Sequence, residues 1–207
     1  MSLIEFIWPR VGQMALDDTH ESDLEKIDSA SWGNDAEAFL EEARRLRDIE
    51  TNRKTAAETK SQIYLAALLT LIPILLTLTE HDVLKGIMEF STWYQVIGFI
   101  LFAFGITYGV GAFFSSFRAL TVKAYHRVDI DEIVSSGSAE APIESITKEI
   151  LKSVRRDRSN INQKVSHVIV THQLIFRMVA LLLLALLLIT FGSKFHNIFP
   201  PLKDLIC

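Results

Sequence analysis

Residues 93–117 read WYQVIGFILFAFGITYGVGAFFSSF and contain no charged side chain. A helix needs about 20 residues to cross a hydrocarbon core of about 30 Å, so this stretch is long enough to span a membrane. Residues 63–79 (IYLAALLTLIPILLTLT) and 178–193 (MVALLLLALLLITFGS) are also free of charge. These two reach spanning length once the residues at their ends lie among the lipid headgroups. The sequence therefore predicts an all-α integral membrane protein with three transmembrane helices, at 63–80, 93–117 and 174–193.

The alternative interpretation is that the apolar stretches are core helices of a soluble protein. Residues 181–188 read LLLLALLL, which is apolar on every face of a helix. Such a helix must be covered all round. A chain of 207 residues has little other protein with which to cover three such helices. The membrane interpretation is favoured for this reason.

The distribution of Lys and Arg predicts the orientation in the membrane. Six lie in residues 43–62 and ten in residues 118–177, whereas residues 80–92 hold one and the tail after residue 193 holds two. Because the cytoplasmic flanks of membrane helices collect positive charge, we expect the N-terminus and residues 118–177 on the cytoplasmic side. The remaining segments are then an outer loop at 81–92 and an outer tail at 194–207.

The first and third spans are predicted to continue long cytoplasmic helices. After Gly33 the chain has no Gly or Pro until Pro73, so a helix at 35–62 should run into the first span. It carries an apolar stripe at helical spacing. The members of that stripe are Phe39, Ala43, Leu46 and Ile49.

From Pro142 onward no Gly or Pro occurs until Gly192, and Ile and Val recur at steps of three, four and seven. This pattern predicts a helix at 143–173 that packs on a partner helix, as in a coiled coil, and runs into the third span. The partner is expected to be the helix at 35–62. The two helices together should form a stalk on the cytoplasmic side.

Two further cytoplasmic segments lack this periodicity. Through Glu42 the chain has eleven Asp or Glu, and its only basic residues are Arg10 and Lys26. Residues 1–34 are therefore interpreted as an acidic, solvated and irregular arm, in preference to a metal site, because no ligand spacing recurs. Residues 118–142 are interpreted as a linker.

The second span carries a face of small residues. Small residues at helical spacing let two helices approach closely. We expect this face to make a tight helix–helix contact, either within one chain or between copies in a homo-oligomer. The alternative is that Gly is simply frequent in membrane helices. The residues are Gly98, the GxxxG pair Gly105 and Gly109, and Ala112.

A basic patch on the predicted helix at 143–173 is the second candidate site. It includes only two acids, Glu149 and Asp157. Such a patch is expected to bind anionic lipid, a phosphate ligand or the acidic arm, and an ordinary solvated face is the equally weighted alternative. Its basic residues are Lys148, Lys152, Arg155, Arg156, Arg158 and Lys164.

The sequence carries no pattern that predicts catalysis. It has no P-loop, no GxSxG, no HExxH and no Gly-rich dinucleotide turn. Apart from Glu80 and Arg177 near their ends, the predicted spans contain no charged residue, so a proton relay is not indicated. The single cysteine, Cys207, excludes a disulfide and a cysteine-based metal site within these residues. We therefore expect no enzymatic activity, no cofactor and no metal.

Three stretches carry a resemblance to a known group of proteins. They are residues 56–65 (AAETKSQIYL), which enter the first span, 113–120 (FFSSFRAL), which leave the second, and 160–165 (NINQKV), which precede the third. In this layout, over about residues 40–192, the chain resembles the small membrane effectors of bacterial anti-phage systems. It is similar in particular to the Pycsar-type transmembrane effectors and to related two-span effectors of cyclic-nucleotide defence operons.

The resemblance implies a protein of the bacterial inner membrane, with a cytoplasmic N-terminus and a periplasmic C-terminus. Such effectors sense a cytoplasmic signal and then compromise the membrane, which kills the infected cell in an abortive infection. The implied trigger is a cyclic nucleotide. Because this chain has no separate nucleotide-binding domain, the trigger is alternatively a cytoplasmic partner protein, as for retron-associated effectors.

A different interpretation is a non-toxic membrane scaffold or sensor. It would recruit a soluble cytoplasmic partner through the acidic arm and the basic helix. A transporter or channel subunit is disfavoured because the predicted spans carry no charge except Glu80 and Arg177 near their ends.

Overall fold

The structure is a computed structural model that describes Pro9 and residues 19–80, 92–121, 125–126 and 128–198. Within the helices, the side chains at 72, 75–80 and 193–198 are not described. The predicted outer loop at 81–92, apart from Thr92, lies outside the described residues. So do the end of the outer tail and most of the first half of the acidic arm.

Every regular element among the described residues is a helix, which confirms the predicted all-α class. A 3-10 turn at Gly33–Asp35 precedes the first long helix. The α-helices are α1 (His20–Ser29), α2 (Ala36–Glu80), α3 (Trp93–Leu120), α4 (Ile130–Gly137) and α5 (Pro142–Ile198).

The two longest helices begin at, or shortly after, residues that favour a helix start. α5 begins at Pro142, whose fixed backbone angle and missing N–H are compatible with the first helical turn. α2 follows Gly33, which has φ of 51°, a conformation that glycine adopts without steric cost. α2 also continues through Pro73.

Two helices are long and apolar enough to cross a membrane, α3 over Trp93–Leu120 and α5 over Pro142–Gly192. Only 17% of the most apolar part of each is buried by the rest of the described structure. A core helix of a soluble protein would be mostly covered. The uncovered apolar surface of α3 and α5 is therefore expected to lie in another apolar environment. The predicted span at 63–80 is part of α2. Several of its side chains lie outside the described residues, so a third span stays a prediction.

The chain divides into two compact units. The apolar unit comprises residues 1–9, 63–116 and 169–207, and the charged unit comprises residues 10–62 and 117–168. The boundaries fall inside α2, α3 and α5, so each of these helices contributes residues to both units. The charge-free stretches of the sequence lie in the apolar unit, except for one residue at the end of the second.

In the apolar unit, α3 packs against α5 through its glycines. A Cβ atom on any of three glycines would approach a side-chain atom of α5 to 3.0 Å or less, whereas carbon atoms normally stay about 3.5–4.0 Å apart. From one of these glycines to the next, α3 advances by seven and then by four residues, while the facing residue of α5 moves back by the same number. The two helices are therefore antiparallel in this unit. The facing pairs are Gly98 with Ile189, Gly105 with Leu182, and Gly109 with Met178.

Further contacts complete the packing of the apolar unit. A Cβ atom on Gly192 would lie 2.8 Å from the ring of Tyr94, so the aromatic ring of α3 rests on the backbone of α5. The hydroxyl of Tyr64 on α2 lies 3.1 Å from Nδ1 of His172 on α5. Ala112 has no exposed surface. Small residues thus let the backbones of α3 and α5 approach closely.

In the charged unit, α2 and α5 lie side by side and run in the same direction. Arg53 donates a hydrogen bond to Oδ1 of Asn162 at 3.0 Å. Lys164 donates one to Oε1 of Glu58 at 2.5 Å. The later residue of α2 thus contacts the later residue of α5, so the two helices are parallel. The buried positions of α5 recur at the short steps typical of coiled-coil packing. They include Thr147, Ile150, Ile161, Lys164 and Val168.

The predicted apolar stripe of α2 is covered only in part. Ala43 is fully buried, whereas Phe39, Leu46 and Ile49 are exposed. The buried apolar positions of α2 in this unit are the small residues Ala43 and Ala57, and hydrogen bonds such as that of Arg53 add to its contacts with α5. The periodicity of the stripe correctly indicates a helix but not the face that packs.

Two segments expected to be irregular contain short helices, α1 in the acidic arm and α4 in the linker. α4 begins with a capping box, in which the carboxylates of Asp129 and Glu132 accept backbone hydrogen bonds at the helix start. In α1, Glu21 and Asp23 lie in the first turn and Lys26 in the last. Charges in these places favour a helix through its dipole.

Replacing Gly105 by Leu should destabilise the packing of α3 on α5, because the new side chain needs space that Leu182 fills. Overpacking of this kind costs about 1–3 kcal/mol. The measurement is the unfolding of the purified protein in detergent micelles. Gly137→Leu is the control, since a Cβ atom at Gly137 meets nothing within 4 Å. Equal losses in both variants would contradict the close packing. Changed oligomer size with unchanged unfolding would place the glycine face between copies.

Candidate functional site

Three of the six basic residues singled out from the sequence contact α1. Lys148, Lys152 and Arg155 are spaced by four and three residues, so they share one face of α5. Nε of Arg155 donates to Oδ2 of Asp23 at 2.9 Å, and its Nη2 donates to the hydroxyl of Thr19 at 3.1 Å. The Arg155 side chain is only 9% exposed. The first turn of α1 therefore covers a nearly buried guanidinium group.

The two lysines bind the other end of α1. Nζ of Lys152 lies 2.6 Å from a carboxylate oxygen of Asp28 and 3.0 Å from Glu149. Nζ of Lys148 donates to the backbone carbonyl of Asp28 at 2.9 Å. It also lies 3.3 Å from Oε1 of Glu144. We call the contacts of these three basic residues with α1 the α1–α5 ion-pair cluster.

Charge and hydrogen bonding help to hold α1 in place. No residue of α1 is fully buried, whereas the cationic side chains beneath it are largely covered. Leu24 and Ile27 of α1 are half-buried and add an apolar contribution in proportion to the area covered. Ion pairs at a protein surface weaken as salt screens them. α1 is therefore attached by a contact that ions in solution can weaken.

The pKa values of this cluster reflect its ion pairs. The hydrogen bond from Arg155 is the main cause that holds the pKa of Asp23 below its ordinary value of 3.8. Burial by itself would lower the pKa of Lys152. The hydrogen bonds and charges of Asp28 and Glu149 outweigh this effect and raise that pKa above 10.5. Asp23 and Lys152 are therefore both ionised near neutral pH.

The other three basic residues lie elsewhere, so the six do not form one surface. Arg156 is exposed and makes no ion pair with a described residue. Arg158 is also exposed, with Nε 3.9 Å from Glu50 of α2. Lys164 is buried and pairs with Glu58 of α2.

Lys164 belongs to a second polar cluster, between α2 and α5. Burial alone would lower its pKa, but the hydrogen bond to Glu58 and the nearby Tyr125 raise it above 10.5. We assign this effect chiefly to Glu58, because the Tyr125 hydroxyl has no hydrogen-bond partner in the described part of the chain. Nζ of Lys54 lies 3.5 Å from the centre of the Tyr125 ring, a cation–π contact.

The small-residue face of α3 lies apart from both clusters. Gly98, Gly105 and Gly109 are all in the apolar unit, where they face α5. Ala112 of the same helix is fully buried. These residues have a packing role in the structure and contact no charged group in it.

The sequence interpretation gave the acidic arm as one of three expected partners of the basic patch, but it did not identify which acidic residues bind. Asp23 and Asp28 were assigned to a solvated arm, yet both bind α5. A signal was present, because acids and bases each recur at near-helical spacing in these two segments. Gly192 was also missed as a packing residue, although Tyr94 lies directly against it.

The comparisons with known proteins identify no relative. No family model matches the chain, and neither the curated proteins nor the solved structures include a significant match. Within the described residues, no three His, Cys, Asp or Glu side chains are placed to hold a metal ion. The functional argument therefore depends on the contacts described above.

Arg155→Glu should release α1 from α5, because it places a carboxylate against Asp23. The matched control is Arg156→Glu, which makes the same change at the next residue. The measurement is the distance between spin labels on cysteines introduced at Glu25 and Ser159, in a Cys207→Ser background. We expect a longer, broader distance distribution for Arg155→Glu only. Adding Asp23→Arg should restore the original distance. The same distance in all variants would contradict a docked α1.

Acid should also release α1. The lowered pKa of Asp23 means that its contribution to docking is complete above pH 3.8 and is lost as the pH falls through the lowered value. The raised pKa of Lys152 means that its contribution is complete below pH 10.5 and is lost only above that. The same label distance should stay constant from about pH 5 to 10 and increase toward pH 3. A transition near pH 6.5 would instead indicate a histidine.

Proposed function

We propose that this protein is an effector of the bacterial inner membrane that permeabilises the bilayer when its cytoplasmic part is triggered during phage infection. Two helices long and apolar enough to cross a membrane support the location. The resemblance to the membrane effectors of anti-phage systems supports the role. The proposed orientation has the N-terminus in the cytoplasm and the C-terminus in the periplasm, as the distribution of Lys and Arg favours.

The helix directions are compatible with three membrane crossings. A chain that crosses three times must have its first and third spans in one direction and its second in the other. α2 runs parallel to α5 in the charged unit, and α3 runs antiparallel to α5 in the apolar unit. On this proposal, residues 63–80 of α2 form the first of the three crossings, and α2 and α5 form the cytoplasmic stalk.

The observation that carries the triggering step is the α1–α5 ion-pair cluster. α1 covers Lys152 and Arg155 while burying none of its own residues. An anionic ligand or an acidic partner protein that competes for these cations would remove the ion pairs that attach α1 to α5. Displacement of α1 would uncover a face of α5, and α5 continues into the proposed span at residues 174–193. Assembly of several copies would follow and open the membrane.

A membrane-potential dye in cells with inducible expression tests this function. Wild-type protein without a trigger should leave the cells polarised. Arg155→Glu should depolarise them without a trigger, because it releases α1. Arg156→Glu should resemble the wild type, and Arg155→Glu combined with Asp23→Arg should restore polarisation. Full polarisation in cells that contain membrane-inserted Arg155→Glu protein would contradict the proposal.

A second candidate function, a non-toxic scaffold for a soluble partner, is favoured by α4. This short capped helix leaves an apolar face uncovered, with Ile130 73% and Val134 66% exposed. Exposed apolar faces of this kind commonly bind other proteins. Val134→Glu should abolish partner recruitment without changing membrane potential if the protein is a scaffold. Ser135→Glu, at the exposed neighbouring position, is its matched control.

A further inference from the structure

A cavity of about 290 Å³ lies in the charged unit, beside the end of α3. Its described lining contains no acidic residue. Two side chains are cationic, and the others carry hydrogen-bonding groups of an alcohol, an amide and an imidazole. The lining residues are Arg118, Thr121, Gln163, Lys164 and His167.

Two of the lining side chains are buried. Lys164 is 3% exposed and His167 is 8% exposed. Lys164 already pairs with Glu58, which does not line the cavity, so part of its charge is neutralised. Arg118 differs, because it is exposed and makes no ion pair with a described residue. The cavity thus combines a buried ammonium group with a guanidinium group that has no anionic partner in the described structure.

This lining suits a phosphate group. Guanidinium groups form paired, charge-assisted hydrogen bonds with phosphate oxygens, and an ammonium group adds a compact positive charge. The hydroxyl of Thr121 and the side-chain amide of Gln163 can donate further hydrogen bonds to the same oxygens. The volume approaches the lower end of the range for small-molecule sites, about 300 Å³. It exceeds the needs of a single water or a monatomic ion.

The position of Arg118 favours a lipid as the source of the phosphate. Arg118 follows directly on the charge-free stretch 93–117 and lies in the last turn of α3. Because α3 is long and apolar enough to cross a membrane, its first basic residue is expected at the level of the headgroups. Basic pockets at the cytoplasmic ends of membrane helices bind anionic headgroups.

We propose that the cavity between Arg118, Lys164 and His167 binds the phosphate group of an anionic phospholipid. The site rests on the proposed membrane location of α3 but not on membrane permeabilisation. The lipid phosphate contacts Arg118 and Thr121 at the end of α3, and Gln163, Lys164 and His167 along α5. The headgroup would thereby join the end of α3 to the middle part of α5.

The test uses the full-length protein in neutral detergent micelles. The probes are phosphatidylglycerol, phosphatidylcholine and inorganic phosphate, and the readout is lipid retained in native mass spectrometry with the accompanying shift in unfolding temperature. We expect phosphatidylglycerol to be retained in preference to phosphatidylcholine. Equal retention of the two lipids would overturn the proposal. Binding of inorganic phosphate that phosphatidylglycerol does not displace would overturn the lipid source and leave a site for soluble phosphate.

Variants locate the site. Arg118→Gln should weaken phosphatidylglycerol binding about tenfold or more, because it removes a charge-assisted contact. Arg156→Gln removes the same charge outside the cavity and should bind as the wild type does. If Arg118→Gln fails to fold, Thr121→Val tests the site instead, and we expect it to weaken phosphatidylglycerol binding by a smaller factor. Unchanged binding in a folded lining variant would overturn the site. Normal lipid binding together with failure of the depolarisation assay would overturn the effector function alone.

Discussion

The packing of the other helices on α5 is the constraint on which the described structure depends. α5 extends over Pro142–Ile198 and contributes to both compact units. Within the charged unit it binds α1 through ion pairs, α2 through Lys164 and Glu58, and α4 through a hydrogen bond between Ser145 and Ser136. Within the apolar unit it receives the glycine face of α3. A break in α5 would therefore disturb the support of every other described helix.

The contacts along α5 are of two physical kinds. The contact with α3 depends on shape, because small residues allow the close approach and any added atom must displace a neighbour. The contact with α1 depends in large part on charge, because ion pairs of Lys152 and Arg155 join it to α5. Shape-dependent packing is insensitive to ions, whereas ion pairs near the surface respond to salt, pH and competing anions. The contacts of α5 in the charged unit are thus the ones that respond to salt, pH and competing anions.

Much of the fold follows from composition and spacing. The all-α class, the apolar character of α3 and the start of α5 at Pro142 could be predicted, because long periodic stretches and helix breakers are local signals. The sequence could not predict that Arg155 is covered by α1 while Arg156 is exposed. This difference depends on Asp23, which is more than 130 residues away from Arg155 in the chain. α1 and α4 were missed because short helices are stabilised by caps and distant partners rather than by length. The contact of Gly105 was anticipated, but its partner on α5 was not identified.

The regular pairing of α3 with α5 also limits how these helices can move. Sliding α3 by one helical turn, about 5.4 Å, would replace Gly109 by Phe113 opposite Met178 in one direction. In the other direction it would replace Gly105 by Leu101 opposite Leu182. Both movements put a large side chain where only a hydrogen atom now fits. A shear by one turn between these helices therefore requires Met178 or Leu182 to move aside. Movement of the two helices together as one body avoids that rearrangement, so the glycine face favours motions in which α3 and α5 keep their register.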